Sequence, residues 1–248
     1  MKFLAKTCLV GGFTAAFATH AAAIDINVHE DAATAQSNYL SLVDAERTVT
    51  EDFNGLAGTR VMGEGFHDSW EGTSNSYDTS VGTFTLTEHG QPASGNENIN
   101  NLMIESNATG EFGRSVLADD DLWLDSNDAK EVVWNLDGAL SGSGPFDSFG
   151  FQLADAADVS ADLTLNFADS EGAASTTIPF ELTNGNVRYV TLQSDRNIVG
   201  GQLTFDNSTL DDGWGIDNVT VGKLPEPGSL LLMGLGLLGL GAARRRTK

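Results

Sequence analysis

Arg47-Thr48-Val49-Thr50-Glu51-Asp52-Phe53-Asn54-Gly55 carries a period of two: Val49, Glu51 and Phe53 alternate with polar neighbours before Asn54-Gly55, a hairpin-type turn signal. Side chains that alternate this way line opposite faces of a strand. Similar short runs follow at Gly82 to Thr87, Leu102 to Glu105, Glu131 to Leu136, Phe146 to Leu153, Asp162 to Phe167, Thr176 to Leu182, Val187 to Gln193, Gln202 to Phe205 and Trp214 to Val221. Gly, Asn, Asp and Ser clusters separate them, with Asn184-Gly185 the sharpest turn. Nine or ten short strands without βαβ alternation predict an all-β fold, an antiparallel β-sandwich of jelly-roll-like character.

Upstream of this region, Ile24 to Glu46 reads differently. Asp31 begins an alanine-rich stretch in which Ala35, Tyr39, Leu42 and Val43 recur at helical spacing, which predicts one short amphipathic helix packed on the domain. Further upstream, Lys2 and Lys6 form a basic start, Leu9 to Ala18 an apolar core, and Ala21-Ala22-Ala23 a small-residue cleavage site. That is the layout of a signal peptide over residues 1–23, with a mature chain expected to begin at Ile24. Cys8 is the only cysteine and leaves with this segment, so the body has no disulfide or thiolate ligand. Its core must hold it together unaided.

The downstream end is the other address. Pro225 and Pro227 lack backbone donors and keep a helix from running back into the body. Gly228 to Ala243 is apolar or small throughout, and as a helix it would span roughly 24 Å, a short transmembrane helix. Arg244, Arg245, Arg246 and Lys248 then act as a basic stop. The expected divisions are a signal peptide over 1–23, a helical segment over 24–46, the sandwich over 47–224, and a sorting segment with its membrane helix over 225–248.

Of 13 Lys and Arg, six lie in the terminal segments, and of 35 Asp and Glu only Glu226 does. The body between them therefore sets seven basic against 34 acidic side chains, about −27. Such a field repels nucleic acid and anionic lipid, and is compatible with divalent cations and neutral glycans.

Pro225-Glu226-Pro227, a short Leu/Gly-rich helix and an arginine cluster, in that order, resemble the PEP-CTERM sorting signal of exported bacterial proteins. The resemblance implies recognition by an exosortase-type membrane enzyme, a transient stay in the inner membrane after signal-peptidase cleavage, and delivery to the cell surface or beyond it. It also implies association with bacteria that make extracellular polysaccharide. A wall-sorting signal of the LPxTG type is rejected, because Pro227 stands where that signal needs threonine. Trp123-Leu124-Asp125-Ser126-Asn127-Asp128, Val133-Trp134-Asn135, Leu153 to Asp158 and Gly213 to Val219 also resemble segments of PEP-CTERM protein bodies. These imply a shared fold and no activity.

Chemistry-bearing groups are sparse. The acidic clusters Asp119-Asp120-Asp121, Asp125-Asn127-Asp128 and Asp211-Asp212 suit calcium, which wants six to eight oxygens, and make a structural calcium ion the one cofactor to test for. Asp217, in an expected strand beside Trp214 and Ile216, must bind an ion or cap neighbouring amides, since an unpaired buried carboxylate is costly. Asp125, Asp128 and Asp217 are the candidate metal ligands. His29, His67 and His89 show no metal spacing, and no nucleophile elbow is present. The leading expectation is a non-catalytic, surface-sorted protein of the polysaccharide matrix. A carbohydrate-binding module is the alternative and needs an aromatic platform from Trp70, Tyr77, Trp123 or Trp214. A secreted glycosidase needs two facing carboxylates about 5 to 9.5 Å apart.

Overall fold

The computed structural model describes residues 23–59, 76–89, 102–106, 122–126, 129–136, 145–156, 159–168, 173–178, 186–207 and 214–225. In chain order they form β1 (Ile24–His29), α1 (Ala32–Leu42), β2 (Thr48–Glu51), β3 (Ser76–Thr79), β4 (Gly82–His89), β5 (Met103–Ser106) and β6 (Leu122–Asp125). Then come β7 (Ala129–Asn135), β8 (Phe146–Ala154), β9 (Val159–Phe167), β10 (Ala173–Ile178), β11 (Val187–Asn207) and β12 (Gly215–Gly222). Every strand pairing is antiparallel, in one 12-stranded sheet.

The sheet curls on itself because β11 serves both halves. Its first part, to Ser194, pairs with β1 and β8, and its second part pairs with β7 and β9. The expected runs Val187 to Gln193 and Gln202 to Phe205 are thus one strand of 21 residues. Between them the register against β9 shifts at Ile198/Gly200. Gly201 then passes so close to β9 that a Cβ there would lie 2.5 Å from the Thr164 carbonyl oxygen. A bulge with glycine beside it bends a strand without ending it, which is why two runs read as two strands.

One half holds β1, β8, β12, β2, β6 and β5 around the start of β11; the other holds β3, β4, β7, β9 and β10 around its end. Their inner faces meet through aromatic rings. Trp134 of β7 meets Phe149 and Phe151 of β8 edge-on at 5.5 and 5.9 Å, and stacks on Phe84 at 5.3 Å. Its indole N–H donates to the Val81 carbonyl at 3.0 Å, so the ring is buried with its polar atom satisfied. Trp134 and Phe151 are fully buried. β9 alternates without a fault: Val159, Ala161, Leu163, Leu165 and Phe167 point inward, with exposed residues between them. This is the pattern of a strand with one wet face.

Two local readings change. Asn54-Gly55 is not a hairpin turn but opens a 3₁₀ segment, Asn54–Thr59, and β2 pairs with the distant β12. The strand stops at Glu51 because Phe53 adopts a left-handed backbone (φ 55°) that drops its ring beside Phe84, 6.0 Å away. In addition, Ile24–His29 is a strand, so the helical segment begins with a sheet element. The helix itself lies where expected: Asp31 caps it, its Oδ1 accepting from the Thr34 N–H at 3.1 Å. Trp70 and the Asn184-Gly185 turn lie outside the described residues.

Candidate binding groove

The outer face of β8 and β11 is polar where an exposed sheet face would be, yet it is largely buried, because α1 lies across it. Tyr39 is the anchor. Its ring packs 6.0 Å from that of Tyr189, and its hydroxyl donates to Ser148 Oγ at 3.2 Å, which donates in turn to the Gly222 carbonyl at 3.2 Å. One turn earlier, Gln36 Oε1 accepts from Gln152 Nε2 at 2.6 Å. Gly150 makes room for this packing: a Cβ on it would come within 2.6 Å of the Tyr189 hydroxyl. Burial pushes the Tyr39 phenol well above its usual range, against the Ser148 bond, with Asp147 adding to the rise. It pushes Tyr189 up likewise. The Tyr189 hydroxyl has no hydrogen-bond partner of good geometry, although Thr220 lies close by.

Between α1 and the sheet margin runs a groove of about 490 Å³ lined by β1, α1 and β11. Asn27 and His29 come from β1, Asp31 and Asn38 from α1, Thr191 and Gln193 from β11, and half-exposed Leu42 sits on the rim. Strand alternation puts Asn27 and His29 on the helix side, opposite Thr191 and Tyr189. His29 Nε2 is 3.0 Å from Thr191 Oγ1, and Asn27 Nδ2 donates to Asp25 Oδ2 at 3.2 Å. Hydrogen bonds from Thr34, first its backbone N–H and then its hydroxyl, hold Asp31 below the ordinary carboxylate range. The groove thus offers amides, an imidazole, hydroxyls and two carboxylates, Glu30 and Asp31, and its one aromatic ring, Tyr39, is buried. Its chemistry is that of hydrogen bonding to a polar ligand.

Of the three metal candidates, two lie among the described residues. Asp125 and Asp217 are buried and sit on one face of adjacent strands, since Gly215 opposes Asp125 and Asp217 is two residues on. Asp217 caps amides, the second of its two expected roles. Its Oδ1 accepts from the Asn218 N–H at 2.6 Å and its Oδ2 from Asn218 Nδ2 at 2.8 Å, where Asn218 turns left-handed at a bulge in β12. Asp128 lies outside the described residues, and among those described no three potential ligands come together. The aromatic platform is corrected for three of its four residues. Tyr77, Trp123 and Trp214 are 5%, 2% and 1% exposed, with Trp214 packed 4.4 Å from Phe205. A core needs large apolar side chains more than a surface does, and these three fill it. A groove role for Asn27 and His29 was not anticipated because β1 was subsumed in the helical reading, although Ile24, Ile26 and Val28 carry its period of two.

At the other end, Leu224 is tied to the body: its N–H donates to Asp147 Oδ1 at 2.7 Å, and its side chain packs on the Tyr39–Tyr189 cluster. Lys223 exchanges backbone bonds with Asp44 and Arg47. Pro225 is exposed directly after this attachment. Glu226, Pro227 and Arg244 to Arg246 lie outside the described residues. No described helix is long and apolar enough to cross a membrane.

A curled antiparallel β domain with a helix-flanked polar groove defines the class. The chain carries, at residues 224–246, the PEP-CTERM protein-sorting motif, the mark of an exported protein with a membrane-anchored precursor. No curated protein matches the sequence. Among solved structures, a carbohydrate-binding module, TmCBM61, in complex with β-1,4-galactotriose is 9% identical, with a TM-score of 0.28 over 49% of this chain and 81% of that one. The family 11 carbohydrate-binding module from Clostridium thermocellum, in complex with a β-1,3-1,4-mixed-linked tetrasaccharide, is 10% identical, with a TM-score of 0.26 over 51% and 85%. Likenesses this distant carry no argument about ligand.

Proposed function

We propose that this is a surface-sorted, non-catalytic protein of the extracellular polysaccharide matrix, processed at its C-terminal motif by an exosortase-type enzyme. The observation that carries the reading is the sorting motif itself, which begins where the body ends: Leu224 is fastened to Asp147, and exposed Pro225 follows. The processing enzyme meets a folded body with a short leash. Intact mass of the protein recovered from the cell surface and medium tests this. The expected species begins near Ile24 and lacks the residues after Pro227; surface protein that uniformly retains Arg244 to Lys248 would leave a plain anchor instead.

A second reading, binding of neutral saccharide, is favoured by the groove. Side-chain amides such as Asn27, Asn38 and Gln193 donate and accept at once, as a hydroxyl-rich ligand requires. Calorimetric titration with neutral oligosaccharides, on the protein and on Asn38→Ala, would separate groove binding from none.

A further inference from the structure

β1 has a strand neighbour on one side. It pairs with β11 in register Ile24 to Ser194 through His29 to Tyr189, and no described strand pairs its other edge. The alternation of the ladder says which groups point outward. The Asp195 N–H donates to the Ala23 carbonyl, so Ala23 and, by alternation, Asp25, Asn27 and His29 spend their backbone groups on β11. The N–H and C=O groups of Ile24, Ile26 and Val28 therefore face away from the sheet. Such a row is a template for another strand unless something guards it. No proline, bulge or lysine does so here.

We infer that this edge pairs with the same edge of a second copy, β1 against β1 in antiparallel register, extending the sheet across a two-fold axis. Antiparallel self-pairing must join the outward residues with one another, and the side chains choose among the registers that do so. With Ile26 opposite Val28 of the second copy, Asn27 falls opposite Asn27, and each Asp25 falls opposite a His29. That register is the one that sets both carboxylates against imidazoles; a shift of one step in either sense sets Asp25 against an amide or against no residue of the strand. His29 already meets the Thr191 hydroxyl through Nε2, leaving Nδ1 to donate to the facing Asp25. Ile24, Ile26 and Val28 are only partly buried against the core, and the second copy would cover their remaining surface. Opposed charged and β-branched pairs each favour the ladder, and the two-fold axis makes every such pair count twice.

The register makes a covalent test possible. Asn27 would face its own copy at a position without backbone hydrogen bonds, where Cα atoms lie about 4.5 Å apart, inside the range of roughly 4.4–6.8 Å that a disulfide spans. Cys8 is the only native cysteine, so the full chain carrying Cys8→Ser and Asn27→Cys has a single thiol. Under mild oxidation this variant should run as a disulfide dimer on a non-reducing gel. Ser175→Cys in the same background, exposed on the edge strand β10, should stay monomeric. Failure of Asn27→Cys to couple, or equal coupling at both sites, overturns the pairing. Sedimentation of the unmodified chain supplies a second arm that needs no cysteine variant. Its average mass should climb toward twice the monomer value with concentration, and Ile26→Pro should abolish the rise, whereas Ile26→Ala, which loses the same packing on the core but keeps the outward N–H, should not. Proline there removes an outward N–H and no bond to β11. A wild-type chain that stays monomeric, or an Ile26→Pro chain that associates as before, excludes this edge.

Discussion

Replacing Tyr39 by phenylalanine and, separately, by alanine measures how firmly α1 is docked, and therefore how well the groove is defined. Tyr39 is 2% exposed, and it is the helix's one fully buried side chain. Phenylalanine keeps the ring against Tyr189 and deletes the bond to Ser148 Oγ. Because Ser148 still donates to the Gly222 carbonyl, little is left unsatisfied, and the expected loss is about 0.5–1.5 kcal/mol. Alanine removes the ring as well and opens a cavity between helix and sheet, for an expected total of about 3–5 kcal/mol. Leu42→Ala, on the same helix but 52% exposed, is the control and should stay within about 0.5 kcal/mol. Urea unfolding at fixed pH reads all three, with an unchanged slope confirming the same unfolded reference. The reasoning fails if Tyr39→Ala costs under about 0.5 kcal/mol, since a surface substitution does that much, or if Tyr39→Phe costs as much as Tyr39→Ala, since ring packing would then contribute nothing.

Gly150→Ala forces a methyl to within 2.6 Å of the Tyr189 hydroxyl, and should destabilise by about 1–3 kcal/mol, with near-ultraviolet dichroism reporting the displaced tyrosine. Asp217→Ala strips the Asn218 amide of its acceptor and should cost about 1–3 kcal/mol, by the same amount in calcium as in chelator; a loss seen in calcium alone would reinstate an ion at Asp217. Burial outweighs the Leu224 amide and the Lys223 and Arg47 charges and raises the Asp147 carboxyl above the ordinary carboxylate range. A raised acid contributes stability below its unfolded pKa and loses it as pH rises through the folded one. Asp147→Asn keeps an oxygen for the Leu224 N–H, so its melting temperature relative to wild type should improve from acid toward neutral pH; an unchanging difference would refute that linkage.

Legibility followed the range of the interaction. The strand runs from Gly82 onward were readable because a sheet face buried against a core demands alternation locally, and β9 shows it residue by residue. The helix was readable through Asp31, whose capping bond spans three residues. The aromatic residues misled: an exposed platform and a filled core ask for the same Tyr77, Trp123 and Trp214, and burial alone distinguishes them. The Phe53 backbone likewise depends on a ring 31 residues away in sequence, at Phe84, so Asn54-Gly55 gave the wrong turn.

By itself the sequence determined the things that are encoded in order along the chain. These are the strand periodicity, the capped helix, the sorting motif that begins at Leu224, and the absence of a cysteine after Cys8. Each is read within a few residues, by a neighbour's geometry or by another protein's recognition of a linear segment. Tertiary structure decided what depends on partners far apart in the chain. It joined two runs into β11 and so curled one sheet into two facing halves. It laid α1 over β8 by way of Tyr39 and Ser148, 109 residues apart, and thereby opened the groove that Asn27, Asn38 and Gln193 line. Loop closure over such separations is opposed by chain entropy and repaid only when whole faces are buried together, so no local pattern announces it.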